Sequence, residues 1–109
     1  MRRIVDGMNV IGTRPDGWWR DRRGAQRRLV ARLGALDEPV TVVFDGREHE
    51  TDPPPRVEVA FAPHADDTIA QLAGPGVVVV TSDRGLAARV RARGGEVQSS
   101  RAFLERLGA

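Results

Sequence analysis

The sequence predicts an α/β fold: a three-layer α/β/α sandwich with a mostly parallel sheet of about five strands. Short apolar runs alternate along the chain with segments whose apolar residues recur at helical spacing. The apolar runs are mostly continuous, which is typical of strands that are covered on both faces. A length of 109 residues fits one domain, so residues 1–109 are expected to form a single unit.

The first half of the chain supplies two strands and a helix. Residues 3–5 are predicted to form a buried strand that ends in an Asp-Gly turn, and residues 11–21 a loop. Residues 22–36 carry apolar side chains at helical spacing with arginines between them, which indicates an amphipathic helix. The β-branched run at residues 40–44 predicts a central strand that also ends in Asp-Gly.

A proline-rich loop leads into the next strand and helix. Residues 46–56 contain three consecutive prolines and are expected to be irregular and mobile. The alternating residues 57–61 indicate an edge or half-exposed strand. A short helix should follow at residues 65–73, with Ile69 and Leu72 facing inward.

The last third contains the strongest strand signal, the four valines of residues 77–80. Thr81, Ser82 and Asp83 are expected to open a helix that runs to Arg93 and stops at two glycines. Residues 96–98 predict a last short strand. Ser99 and Ser100 then cap a terminal helix whose core-facing residues are Phe103, Leu104 and Leu107.

Composition excludes several classes of site. Without cysteine the chain can form neither a disulfide nor a thiolate zinc site. With only two histidines, it cannot form a histidine-rich metal site either. Any bound metal must therefore be held by oxygen, which indicates Mg²⁺ or Mn²⁺. No stretch approaches the roughly 20 apolar residues of a membrane span, and the N-terminus does not resemble a signal peptide. A cytoplasmic location is expected.

The charges are unevenly distributed. All 17 basic residues are arginine, which is also what a GC-rich genome produces. Residues 14–32 hold seven arginines against two acids, residues 33–67 hold nine acids against two arginines, and residues 84–106 hold six arginines against two acids. Basic flanks around an acidic centre suit a polyanion that is drawn toward a metal, although charged helix faces are often simply solvated.

Aspartates occur at the ends of successive strands. Asp6, Asp45 and Asp83 each follow a predicted strand, and Asp66 and Asp67 begin the helix after another. Parallel strands bring such positions to one edge of the sheet, where like charges repel unless a cation bridges them. Taken singly, each is equally explained as a turn or cap residue. Their shared position predicts a Mg²⁺ or Mn²⁺ site that can hydrolyse a phosphodiester.

Other polar and aromatic residues are candidates for contact with the substrate. Asn9 is expected in a turn, where its amide would orient a water or a phosphate oxygen, or only form the turn. Ser82 and Arg84 flank a helix N-terminus that could bind an anion. Trp18 and Trp19 could stack on bases or merely cover the core. The arginines predicted to guide the phosphate backbone are Arg22, Arg23, Arg27 and Arg28.

Four segments in order resemble the NYN domains, specifically the YacP-like branch, which is related to the PIN nucleases. They are IVDGMNVI (4–11), VVFDG (42–46), ADDTI (65–69) and VTSDRGLA (80–87), and the ending VQSSRAFL (97–104) is also similar. The resemblance spans nearly the whole chain. It implies a PIN-like sandwich and Mg²⁺- or Mn²⁺-dependent cleavage of RNA.

The resemblance also assigns roles to particular residues. Asp6, Asp66, Asp67 and Asp83 match the acidic metal-site positions of the family, Asn9 matches their polar companion, and Asp45 matches the acid that ends the second strand in this branch. Two features depart from the family pattern. Met8 stands where an aromatic residue is usual, and the chain is short for this branch.

Three functions are consistent with these features. The leading hypothesis is an endoribonuclease that cleaves single-stranded RNA with metal-activated water. The second is a module of the same fold that binds RNA or a ribonucleoprotein without cleaving it. A phosphatase or phosphoacceptor domain ranks third, because such chemistry usually needs a lysine and the chain has none. The sequence leaves open the RNA target, the oligomeric state, and whether the domain acts alone, with a partner or on the ribosome.

Overall fold

Five strands pair in parallel to form one sheet in the computed structural model, which describes residues 1–108. The strands are β1 (Arg2–Asp6), β2 (Val40–Asp45), β3 (Val57–Ala62), β4 (Val77–Val80) and β5 (Glu96–Gln98). The helices are α1 (Gly7–Gly12), α2 (Arg22–Leu33), α3 (Ala65–Leu72), α4 (Arg84–Ala92) and α5 (Ser100–Arg106), with a 3-10 turn at Trp18–Arg20. The predicted α/β fold is confirmed, and all strand pairs are parallel.

The order of strands across the sheet is β3-β2-β1-β4-β5. The chain moves from β1 outward through β2 to β3, and then returns to place β4 on the other side of β1. Ile4 in β1 is accordingly in register with Thr41 of β2 and with Val79 of β4. Ligand sites of open parallel sheets form where the strand order reverses, beyond the carboxyl ends of the strands. Here that position lies at the ends of β1 and β4.

Each face of the sheet has its own hydrophobic core. Val5, Val42 and Phe44 pack with residues of α1, α2 and α5 on one face. Ile4 and Val43, their neighbours along the strands, pack with residues of α3 and α4 on the other face. Alternate side chains of a strand point to opposite faces, so two helical layers explain why the strands are apolar throughout. The β3 strand lies at the sheet edge, as its alternating pattern predicted.

The segment after β1 is helical, contrary to the sequence-based prediction. An Asp-Gly turn and a loop were expected, but Gly7 begins α1, and Asn9 and Ile11 lie within it. The helix has only six residues, two of them glycine, so it lacks the length and propensity that reveal a helix in a sequence. It forms because Val10 and Ile11 are buried against the core.

The end of one helix and the burial of one leucine also differ from expectation. The first long helix, α2, ends at Leu33, and residues 34–36 form turns instead of a further helical turn. Leu72 was predicted to face inward, but 37% of it is exposed, whereas Ile69 is fully buried. Leu72 is the last residue of α3, so no following helical turn packs beside it.

The proline-containing segment after β2 is irregular, as predicted, and is fastened to the helical layer by His49. The Nε2 atom of His49 lies 2.6 Å from Oε1 of Gln26, a buried residue of α2. The imidazole ring also packs on Phe61, with 5.2 Å between ring centroids. His49 is therefore half-buried. No helix within residues 1–108 has the length and apolar character needed to cross a membrane.

Candidate functional site

A hydroxyl links the two central strands at the point where the strand order reverses. Asp6 is the last residue of β1, and Thr81 follows β4. Oγ1 of Thr81 donates a 2.8 Å hydrogen bond to Oδ2 of Asp6 and accepts a 3.1 Å hydrogen bond from the backbone N–H of Asp83. Asp6 and Asp83 therefore lie on the same rim of the sheet, joined through one threonine side chain.

Asp6 is the buried acid of this rim. It is 8% exposed, and its pKa is raised from 3.8 to about 6. Burial is the main cause, because a carboxylate loses solvation there, and the negative charges of Asp45 and Asp83 add to the increase. The hydrogen bond from Thr81 acts in the opposite direction. Three of the five predicted acids thus interact electrostatically, with Asp6 at the centre.

Asp45 and Asp83 both stabilise the start of a helix. Oδ1 of Asp45 accepts a 2.9 Å hydrogen bond from the backbone N–H of Ala65, the first residue of α3. Oδ1 of Asp83 accepts a 3.0 Å hydrogen bond from the N–H of Leu86 in the first turn of α4. These contacts fix the direction of each carboxylate. A second oxygen remains on each as a potential metal ligand.

Asp66 and Asp67 occupy the first turn of α3 and are paired with an arginine. Nη1 of Arg89, on α4, lies 2.9 Å from Oδ1 of Asp67 and 3.9 Å from Oδ2 of Asp66. All three side chains are about half exposed to solvent. Surface ion pairs of this kind contribute at most about 1 kcal/mol, so either carboxylate can leave Arg89 at small cost.

The acidic rim fits a hydrated divalent cation better than a fully protein-coordinated one. Within residues 1–108, no three acidic or imidazole side chains are grouped closely enough to hold a metal ion by themselves. Mg²⁺ usually keeps several waters and binds through one or two carboxylates together with substrate phosphates. A dication near Asp6 would also relieve the repulsion that raises its pKa. The oxygen ligands of Asp6, Asp45 and Asp83 are suited to this role.

Asn9 connects three elements around the rim. Its Oδ1 accepts a 2.9 Å hydrogen bond from the N–H of Ser82 and a 2.7 Å hydrogen bond from the hydroxyl of Ser100. Ser100 is fully buried, and its own N–H donates to Oγ of Ser82. The expected turn at Asn9 is wrong, because its oxygen ties α1 to the chain after β4 and to α5. These contacts use only the oxygen of the Asn9 amide. Its two N–H donors remain candidates for contact with the substrate.

The helix N-terminus beside Asp83 is largely satisfied internally. The N–H groups of Ser82, Asp83 and Leu86 donate to side chains of the protein, namely Asn9, Thr81 and Asp83 respectively. The hydroxyl of Ser82 accepts from Ser100. Arg84 is exposed beside these groups and is a cation available to an anion near Asp83.

The basic and aromatic candidates lie on α2 and in the 3-10 turn before it. Because α2 carries the chain back from the end of β1 to the start of β2, its first turn lies at the acidic end of the sheet. Trp18 packs partly against the core, whereas Trp19 is 56% exposed. The ring of Trp19 meets the ring of Trp18 edge-on, with 6.0 Å between the two ring centroids. The four predicted arginines are all exposed on α2: Arg22, Arg23, Arg27 and Arg28.

Sequence reasoning missed two residues that organise the site, Thr81 and Ser100. Both are buried hydroxyls with their hydrogen bonds satisfied by site residues. A hydroxyl that directly follows a four-valine strand was the available signal for Thr81, because a polar group there needs a partner. Ser100 offered no such signal, since serine pairs before a helix are usually caps.

Nearly the whole chain, residues 3–109, matches the family model described as the YacP-like NYN domain. The chain belongs to the YacP-like NYN domain family. NYN domains are PIN-like nuclease domains, so membership supports a ribonuclease-type function with RNA as the substrate. The resemblance drawn from the four sequence segments is confirmed.

Solved structures of a YacP-like protein share the fold. Rae1 (YacP) from Bacillus subtilis is similar with a TM-score of 0.83 at 25% sequence identity, and a point mutant of it with a TM-score of 0.79 at 27% identity. In both comparisons the similarity covers 99% of this chain and 74% of the Rae1 chain. No curated protein sequence matches the chain.

Proposed function

We propose that this YacP-like domain is a metal-dependent endoribonuclease that hydrolyses phosphodiester bonds of single-stranded RNA. The observation that carries the proposal is the buried carboxyl of Asp6, whose ionisation is opposed by burial and by Asp45 and Asp83. A buried carboxyl with a raised pKa beside other acids is a recognised sign of a functional site, and a bound cation would offset its charge. Membership of a nuclease family supports the same conclusion.

Asp6 is the proposed principal ligand of Mg²⁺ or Mn²⁺, with Asp83 or Asp45 as a second ligand and water completing the shell. Such an ion supplies Lewis acidity toward the phosphodiester and activates water for in-line attack. Thr81 holds Asp6, and the helix-capping contacts hold Asp45 and Asp83, so the direction of each carboxylate is already fixed by the fold. Asp66 and Asp67 are proposed as further ligands or orienting groups that leave Arg89 when the substrate complex forms.

The surroundings of the rim provide contacts for RNA. Arg22 and Arg23 lie in the first turn of α2, at the acidic end of the sheet, where they can attract the phosphate backbone. Trp19 is the exposed aromatic surface on which a base can stack. Arg84 and the Asn9 amide are the candidates for contact with phosphate oxygens near Asp83.

Cleavage of an end-labelled single-stranded RNA tests the proposal. Purified protein with Mg²⁺ or Mn²⁺ should produce internal cuts that a chelator abolishes. Asp6→Asn combined with Asp83→Asn should abolish them as well. Both asparagines keep an oxygen acceptor for the contacts of Thr81 and Leu86, so the variant should remain folded.

The matched control is Asp37→Asn, an exposed acid between α2 and β2 at the opposite end of the sheet. This variant should cleave like the unmodified protein. Cleavage that survives the Asp6 and Asp83 double substitution would contradict the proposed mechanism.

A non-cleaving RNA-binding module is the second candidate. It is favoured by the pairing of Asp66 and Asp67 with Arg89, which leaves these two acids engaged elsewhere. Metal-independent RNA binding without turnover would support it.

The expected cytoplasmic location and the suggested action on the ribosome stay predictions.

A further inference from the structure

A groove with an apolar floor lies between α1, α2 and α5. Val10, Leu29, Leu104 and Leu107 contribute to its lining. Leu104 and Leu107 are partly exposed, whereas Val10 and Leu29 are buried beneath them. The groove has a volume of about 160 Å³. An engineered apolar cavity of about 150 Å³ accommodates a benzene ring, so one large apolar side chain fits here.

The rim of this groove is basic. Arg14, Arg28 and Arg32 line it, with Asp16 as the single acid. Among residues 1–108, none of these arginines lies within ion-pair distance of a carboxylate. Nη2 of Arg32 donates to the backbone oxygen of Leu107 at 3.4 Å, which holds its charge over the groove.

We propose that this groove docks an acidic peptide segment of a partner protein, which places one leucine-like or aromatic side chain on the apolar floor. Acidic side chains on either side of that anchor would pair with Arg14 and Arg28. An amphipathic segment laid into a groove between helices is a common way for proteins to recognise one another. The inference goes beyond the proposed ribonuclease function and does not require it.

The lining of the groove favours a peptide over RNA. Surfaces that bind single-stranded RNA combine cationic side chains with aromatic rings on which bases stack. Here the apolar lining is entirely aliphatic or alanine, and the exposed Trp19 is not part of it. Burial of a leucine-sized side chain, in contrast, gains from an aliphatic floor in proportion to the area removed from water.

Fluorescence anisotropy with a synthetic peptide tests this docking surface. The probe is a labelled peptide of two Leu-Glu-Glu-Leu-Leu-Glu-Glu heptads, which places the leucines on one helical face. Its comparison peptide has the same composition in an order that disperses the leucines. Binding of the first peptide should be saturable, and Arg14→Glu with Arg28→Glu should weaken it about tenfold.

The matched control, Arg23→Glu with Arg27→Glu, makes the same change of charge on α2 outside the groove lining. It should leave peptide binding almost unchanged. A further variant, Leu104→Gln, should weaken binding of the peptide without any change in the charge of the protein. Circular dichroism checks that every variant is folded.

Three results would overturn the proposal. One is the absence of saturable binding of the amphipathic peptide. Another is an equal loss of binding for the control arginine pair, or equal affinity for the dispersed peptide, since either would reveal unspecific charge attraction. The last is displacement of the peptide by an oligouridine RNA whose own binding depends on Arg14 and Arg28, because the groove would then belong to an RNA-binding surface.

Discussion

The hydroxyl of Thr81 donates a 2.8 Å hydrogen bond to the Asp6 carboxylate across the junction of the two central strands. This bond favours the charged form of an acid whose pKa is otherwise raised by burial. Both residues sit where the strand order reverses, so the same contact that joins β1 to β4 also prepares the acidic rim.

Replacement of Thr81 by valine should raise the pKa of Asp6 further above about 6. Valine has nearly the same shape but cannot donate the hydrogen bond, so the charged carboxylate loses its stabilising partner. A carbon-13 NMR titration of the side-chain carboxyl in metal-free protein measures this pKa. Thr81→Ser retains a hydroxyl and is the control; an unchanged pKa in the valine variant would show that the bond has no influence.

Asp6→Asn should stabilise the metal-free protein at neutral and alkaline pH. The folded protein binds the Asp6 proton more tightly than the unfolded chain does, so it loses stability as the pH rises from about 4 through about 6. A rise of the pKa from 3.8 to about 6 corresponds to a loss of about 3 kcal/mol. Asparagine removes the charge but keeps the oxygen that accepts from Thr81.

Thermal or urea unfolding at several pH values measures this effect. The stability gained by the Asp6→Asn variant should be largest near about pH 8 and should shrink as the pH approaches about 4. Asp37→Asn, at an exposed acid, should show no such trend. A variant that is less stable than the unmodified protein at alkaline pH would refute this description of Asp6.

Gly7→Ala should destabilise the fold by about 1–3 kcal/mol. A Cβ atom at Gly7 would collide with the ring of Phe44, which is fully buried and cannot move without disturbing the core. Gly12→Ala, in the same helix, meets nothing within 4 Å and provides the control. Urea unfolding distinguishes the two, and equal effects would mean that the close approach of α1 to β2 is not required.

The contact between Asn9 and Ser100 should show a measurable coupling energy. Removal of the Asn9 oxygen leaves the buried Ser100 hydroxyl without its acceptor, which costs about 1–3 kcal/mol. In a double-mutant cycle, Asn9→Ala should therefore cost less when Ser100→Ala is already present. Strictly additive free energies of unfolding would show that the two side chains do not interact.

The sheet and its acidic rim could be predicted from the sequence because both follow from local patterns. Continuous apolar runs such as Val77–Val80 indicate buried parallel strands, and parallel strands bring Asp6, Asp45 and Asp83 to one end. The convergence of these three aspartates at one end of the sheet depends only on the direction of the strands. Helix α1 could not be predicted, since its six residues gain their stability from tertiary packing and not from propensity.

The partners of each acid were beyond sequence reasoning. The pairing of Asp66 and Asp67 with Arg89 depends on how closely α3 and α4 pack, and the role of Asn9 depends on where α5 returns to the sheet. Such contacts join residues far apart in the chain. They are determined by tertiary packing and leave no periodic signal along the sequence.

Anomalous scattering from a crystal soaked in Mn²⁺ locates the proposed metal site. The charges of Asp45 and Asp83 around the buried Asp6 predict a peak within ligand distance of the Asp6 carboxylate, with Asp83 or Asp45 as a second ligand and water completing the shell. A crystal of Asp6→Asn should lose the peak. An Mn²⁺-saturated crystal of the unmodified protein with no peak at this rim would show that these aspartates do not bind the metal.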